Sequence, residues 1–210
     1  MTLAERTVNT EAQLRQGHTP AVMADIVEDA VNLCVWQRVL STPLQEAITA
    51  ILQQQPDLKI QQSGTTDALR DILSVQLGAA AQPLTDDISE LLDMLNFLFD
   101  HPDWGIRLTA LDRAMCPKYH VDRVNARLIT TYQGPGMQWL ANDQILRSSG
   151  QSGGLEIPPD AQLEHQNLNT GDVALCKGDA WPGNAGRGLI HRSPQPAAGQ
   201  ARLLLTIDQC

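Results

Sequence analysis

At His101-Pro102-Asp103 the chain changes the spacing at which it repeats its apolar residues, and this constrains the fold more than any other feature. Before that point the repeat is helical. Leu44, Ala47, Ile48, Ile51 and Leu52 share one face, Thr42-Pro43-Leu44-Gln45 carries a capping-box pattern at the start, and Pro56 stops the element. A second stripe (Leu69, Ile72, Leu73, Leu77) runs from about Thr66 and ends at Gly78. A third (Ile88, Leu91, Leu92, Leu95, Leu98, Phe99) follows Thr85 as cap, with Asp86 and Asp87 where the helix dipole favours negative charge. After Asp103 the spacing is that of strands. Gly and Pro punctuate β-rich runs at 106–111, 126–132, 173–176, 188–191 and 202–207. Val31–Trp36 is a strand of the same kind ahead of the helices.

The reading is an α+β chain with helices packed against one sheet of a sandwich or small barrel. A polar, aperiodic arm occupies 1–20. A single domain over 21–210 divides into a mainly helical buttress (21–103) and a β-barrel core (104–210). Hydrophobic residues make up 42% of the 210, enough for a core, and only 4% are aromatic, so that core is aliphatic. Asp and Glu outnumber Lys and Arg by 24 to 15, a formal charge of −9. This excess argues against nucleic acid or anionic membrane as a partner. No apolar run is long enough to span a bilayer and the first residues lack a secretory pattern, so the expected location is cytoplasmic and the partner a small molecule or protein substrate. Cys34, Cys116, Cys176 and Cys210 are too few and too dispersed for a disulfide framework.

His120-Val121-Asp122 places an imidazole and a carboxylate at i and i+2, which an extended segment turns to one face. His191 lies on a later β-run. Two imidazoles and one carboxylate occupy one face of an octahedral iron(II) ion and leave three adjacent positions open, whereas a structural zinc site closes all four of its positions. Arg202 begins the last strand and shares a face with Leu204 and Thr206, opposite Leu203, Leu205 and Ile207. A buried Arg needs an anion, and its fork suits a carboxylate. Plainer roles stand beside these: a core histidine bonded to backbone for His191, and a salt bridge to Asp208 for Arg202. Cys116 is either a fourth ligand, which turns the site towards zinc, or a small buried thiol. Arg123, Arg127 and Arg192 are either charges for an anionic substrate or surface residues. Trp139, Trp181 and Tyr119 are expected at the barrel mouth.

His-x-Asp, a distal His and a basic residue some ten positions later resemble the iron(II)- and 2-oxoglutarate-dependent oxygenases. Ala126–Tyr132, Gln133–Trp139 and Gly171–Leu175 look like the prolyl-hydroxylase-like branch. That resemblance implies a double-stranded β-helix (a cupin-like or jelly-roll barrel), His120, Asp122 and His191 as iron ligands, and no catalytic residue beyond them. It also implies Arg202 and Tyr132 on 2-oxoglutarate; Cys116 and Arg127 are further candidates from the residues themselves. Leu204 stands where many members carry Ser or Thr. The run Cys116–Val124 with Thr131–Gly136, Asn32–Arg38 and Ile190–Pro194 more closely resembles the bacterial family of unknown function DUF1826. Its association with zinc-homeostasis genes gives the alternative, a non-catalytic zinc-binding barrel protein.

Overall fold

The computed structural model describes residues 13–144, 146–147, 155–156 and 162–210. Among them the strands are β1 (Gln13–Gly17), β2 (Val31–Trp36), β3 (Lys59–Thr65), β4 (Asp103–Leu111), β5 (Ala126–Gln133) and β6 (Gln138–Leu140). They continue with β7 (Leu146–Arg147), β8 (Leu155–Glu156), β9 (Gln166–Asn167), β10 (Val173–Lys177), β11 (Ile190–Arg192) and β12 (Arg202–Gln209). The helices are α1 (Thr42–Gln54), α2 (Thr66–Leu77) and α3 (Gln82–Phe99), with a 3-10 segment at Pro20–Val27. No helix among the described residues is long and apolar enough to cross a membrane.

Seven strands form one sheet in the order β1-β2-β10-β5-β12-β4-β3, antiparallel except for the parallel β1–β2 pair. A second sheet has the order β11-β6-β9, and β7 pairs with β8. The period-2 alternation of the central strands splits their side chains between two cores. Leu128, Leu203, Leu205 and Ile207 join the helix-side core with Ile48, Leu73, Leu92 and Leu95. Ile129, Ala174, Cys176 and Leu204 point the other way and meet Trp139 of β6, with Met137 and Leu189, between the sheets.

The division at residue 103 is not where helix gives way to sheet. β2 and β3 come from the helical half, and β1 comes from the segment read as an arm; residues 1–12 of that arm lie outside the described residues. β1 and β3 are the two edges of the large sheet. An edge strand has one ladder neighbour and much solvent, so polar sequences such as Gln13–Gly17 and Lys59–Thr65 serve there without showing an apolar pattern.

Helix starts also differ from the sequence reading. Ser41, not Thr42, is the cap residue of α1, and the Gln45 side chain donates to the Leu40 carbonyl (2.7 Å) instead of closing a capping box. α3 begins at Gln82 with Pro83 in its first turn, so Thr85 lies inside the helix and is buried. α2 follows expectation: the Thr65 hydroxyl accepts from the Ala68 N–H, and Gly78 takes φ +76° past its end. One buried cluster ties α3 to the large sheet. Arg38 grips Asp87 with both guanidinium arms (2.6 and 2.9 Å), and the Tyr132 hydroxyl donates to the same carboxylate (2.7 Å).

Candidate metal centre and cofactor cavity

His120, Asp122 and His191 come together although 71 positions separate the two histidines (191 − 120). One ligand atom from each lies within 4.8 Å of the others. The convergence is not made by strand alternation at 120–122, as the sequence suggested. His120 forms a lone antiparallel bridge with His191, their backbones exchanging two 3.0 Å hydrogen bonds, and Asp122 follows in a loop. That bridge brings the imidazoles to 4.5 Å between centroids, with their planes tilted by 50°.

Each ring is oriented by a backbone carbonyl two residues before it. The Nδ1–H of His120 donates to Lys118 (3.0 Å) and that of His191 to Leu189 (3.1 Å). A carbonyl only accepts, so Nδ1 carries a proton, and in the neutral ring Nε2 is the atom that can ligate. Both Nε2 atoms face Asp122, that of His120 at 3.7 Å from Oδ1 and that of His191 at 3.3 Å from Oδ2. The three donor atoms converge on one point, as the ligands of a shared cation do. The donor set is the facial two-His, one-carboxylate type.

Burial opposes ionisation of Asp122, yet the facing His191 and the Arg127 guanidinium, which donates to Oδ2 at 2.7 Å, outweigh it and hold the carboxyl at about 2. Burial and the neighbouring His191 lower the His120 pKa, which keeps the ring neutral and able to ligate.

The turn at 178–180 holds the Asp122 loop. The Asp179 N–H donates to the Asp122 carbonyl (2.9 Å), Ala180 to Val124 (3.2 Å) and Gly178 to Asn125 (2.9 Å). Such an approach requires a residue without a Cβ at 178, where one would sit 2.2 Å from the Val124 carbonyl oxygen and 2.7 Å from that of Asp122. Gly178→Ala is therefore expected to lower stability by roughly 1–3 kcal/mol, the usual cost of overpacking, and to weaken metal uptake. Thermal melts with metal titration check this, and unchanged melting and affinity would refute it.

Arg202 is 1% exposed and faces the space between the sheets. The salt bridge to Asp208 does not form, since Asp208 is taken by Arg127. Arg202 donates only to neutral oxygens: the Pro135 carbonyl (2.8 Å), Ser193 Oγ (2.7 Å) and Thr131 Oγ1 (3.0 Å). With no carboxylate partner among the described residues, burial lowers its pKa to about 10. A cavity of about 60 Å³ joins Arg202 and Ser193 to His120 and His191, with Ile129, Met137 and Leu204 as apolar walls.

Tyr132 is not in this cavity. It is 2% exposed and points to the helix side, where its hydroxyl is bound to Asp87. Period-2 alternation on β5 puts Arg127, Ile129 and Thr131 on one face and Leu128, Thr130 and Tyr132 on the other, so it carries the signal that excludes Tyr132 and finds Thr131. Cys116 lines the cavity but is exposed, not buried, and stands outside the cluster of three ligand atoms; its carbonyl accepts from the Ser193 N–H (2.9 Å). Arg192 lies over the Tyr119 ring (4.4 Å) and donates to Gln138, and Arg123 is exposed. Trp139 lies in the core between the sheets, whereas Trp181 packs on Phe99 on the helix side, away from the expected mouth. Ser193 and Gly178 were missed. Only the short Ser-Pro turn after His191 hints at Ser193, and nothing local distinguishes Gly178 from other turn glycines.

The fold of this chain is similar to that of solved dioxygenases. The rice dioxygenase for auxin oxidation has a TM-score of 0.56 at 12% identity, covering 94% of this chain and 82% of its own. The Arabidopsis thaliana enzyme of the same name, solved with 2-oxoglutarate, also scores 0.56, at 10% identity and 94% and 91% coverage. A non-haem α-ketoglutarate-dependent epimerase from nogalamycin biosynthesis scores 0.50 at 10% identity, covering 90% of this chain and 80% of its own. At these identities the likeness shows the fold alone. No curated protein sequence matches. Residues 17–208 match the model of the protein family of unknown function DUF1826, and the chain belongs to that family.

Proposed function

We propose that this protein is an iron(II)- and 2-oxoglutarate-dependent oxygenase built on a double-stranded β-helix. The observation that carries the reading is Arg202: a buried guanidinium without an acidic partner among the described residues, in the same cavity as two imidazoles whose Nε2 atoms face a carboxylate. A cation deprived of water is costly unless an anion arrives to meet it. His120, Asp122 and His191 would hold iron, and Arg202 the distal carboxylate of the keto acid.

When bound, iron with 2-oxoglutarate supplies the oxidative decarboxylation of the keto acid and the transfer of oxygen to a C–H bond. The protein's residues prepare that chemistry. The Lys118 and Leu189 carbonyls fix both imidazoles in the tautomer that ligates. Ser193 and Thr131 accept from the two arms of the Arg202 fork and hold it in place. Leu204, Ile129 and Met137 keep water away from the reacting centre.

The test is spectroscopic. Anaerobic protein mixed with iron(II) and 2-oxoglutarate is expected to show a weak visible charge-transfer band, and to release succinate on exposure to air. Stoichiometric zinc retained against iron(II), with neither band nor succinate, would instead support the non-catalytic metal-binding reading. A fourth protein ligand would favour that reading, and Cys116 lies outside the cluster.

A further inference from the structure

The structure assigns Arg127, clamped by Asp208, as the positioning residue for Asp122; the assignment rests on the metal reading above and adds a device to it. Asp122 is the one ligand of the three without a β-bridge, since His120 and His191 are stitched to each other and Asp122 lies in the loop before β5. The turn at 178–180 fixes its backbone but not its carboxylate.

Arg127 fixes the carboxylate. Its Nη1 donates to Asp122 Oδ2 at 2.7 Å, while Nε and Nη2 donate to the two oxygens of Asp208 at 2.6 and 2.8 Å. The β5–β12 ladder sets Asp208 directly opposite Arg127. The guanidinium plane is therefore locked before it reaches Asp122, and all three side chains are about 15% exposed, which leaves water little part in orienting them. The arrangement also settles a charge problem. An unshared guanidinium would neutralise Asp122 and compete with a metal for it. Asp208 takes up that positive charge, so Asp122 keeps its own for the cation.

The same strand serves both ends of the cavity. Arg202, Leu204, Thr206 and Asp208 alternate onto one face of β12, with Arg202 and Asp208 roughly 20 Å apart at the rise of an extended strand. Arg202 waits for an anion at one end, and Asp208 steadies a metal ligand at the other.

Co(II) titration of the full chain, followed by its ligand-field absorption and accompanied by thermal melts, tests the assignment in wild type, Arg127→Met, Arg127→Lys and Asp208→Asn. Arg127→Met is expected to lose Co(II) affinity on the order of 10–100-fold, the usual effect of removing a residue that orients a ligand, and to shift the absorption band, a change that lowered stability alone does not produce. Arg127→Lys is expected to behave the same way, because an ammonium cannot hold both carboxylates in a fork. Asp208→Asn should move both readouts in the same direction by less, and it carries the comparison if Arg127→Met fails to fold. Wild-type affinity and spectrum in the folded variants, or full rescue by lysine, overturns the positioning role alone. Wild-type protein that takes up no Co(II) overturns the metal reading and this inference with it.

Discussion

Asp122→Ala protein, purified without chelator beside the wild type, is expected to contain almost no bound metal, while the wild type holds about one equivalent. Asp122 is the only acidic member of the three-ligand cluster, and it faces both Nε2 atoms. Without it, two neutral imidazoles remain beside the Arg127 guanidinium, which then repels a cation that the carboxylate had attracted. The affinity loss should exceed roughly 100-fold, the upper end of what the loss of an outer partner costs. Stability should fall as well, because removing one member of a largely buried ion pair leaves its partner uncompensated; here the remaining bonds from Arg127 to Asp208 limit the damage. Elemental analysis and a melt on the same samples separate the two effects. Equal metal content in both proteins would remove the basis for the oxygenase.

Arg202→Met is expected to separate binding from stability. If the guanidinium waits for a carboxylate, 2-oxoglutarate affinity should drop on the order of 10–100-fold, since a hydrogen bond to a charged group is worth about 1.5–3 kcal/mol. Unfolding of the ligand-free protein should meanwhile change little, or the protein should become more stable. The methionine fills much of the same volume and relieves a buried cation whose only partners among the described residues are Pro135, Ser193 and Thr131 oxygens. Isothermal titration with 2-oxoglutarate on metal-loaded protein gives the first number, and denaturant unfolding the second. A large loss of stability with unchanged affinity would make Arg202 a structural residue and leave the co-substrate unassigned.

The three helices were legible in the sequence because a 3.6-residue repeat of leucines and isoleucines has few other uses; their starts were not. Thr42 and Thr85 look like caps, yet Ser41 and Ala81 occupy those positions, because Pro43 and Pro83 each suit a first turn and draw the helix start forward. The edge strands β1 and β3 escaped notice because solvent-facing strands need no apolar alternation. Tyr132 shows an available signal overlooked: it cannot share a face with Arg127 and Thr131 on one strand. The Asp122 loop shows the reverse. His-x-Asp was read through strand alternation, and the residues do meet, but a bridge to His191 and a turn at Gly178 bring them together.

By itself the sequence determined where the three helices and the central strands lie, which side of β12 is apolar, and which residue types are available to a metal and an anion. These are local properties, set by side-chain period and chemistry over a few neighbouring residues. Only the tertiary structure decided that His191 lies against His120, and that Arg127 takes Asp208 and leaves Arg202 without an acid among the described residues. Each of those outcomes depends on strand register and on contact between segments distant in the chain, where the ordering of many residues at once, and not the preference of any one of them, selects the partner.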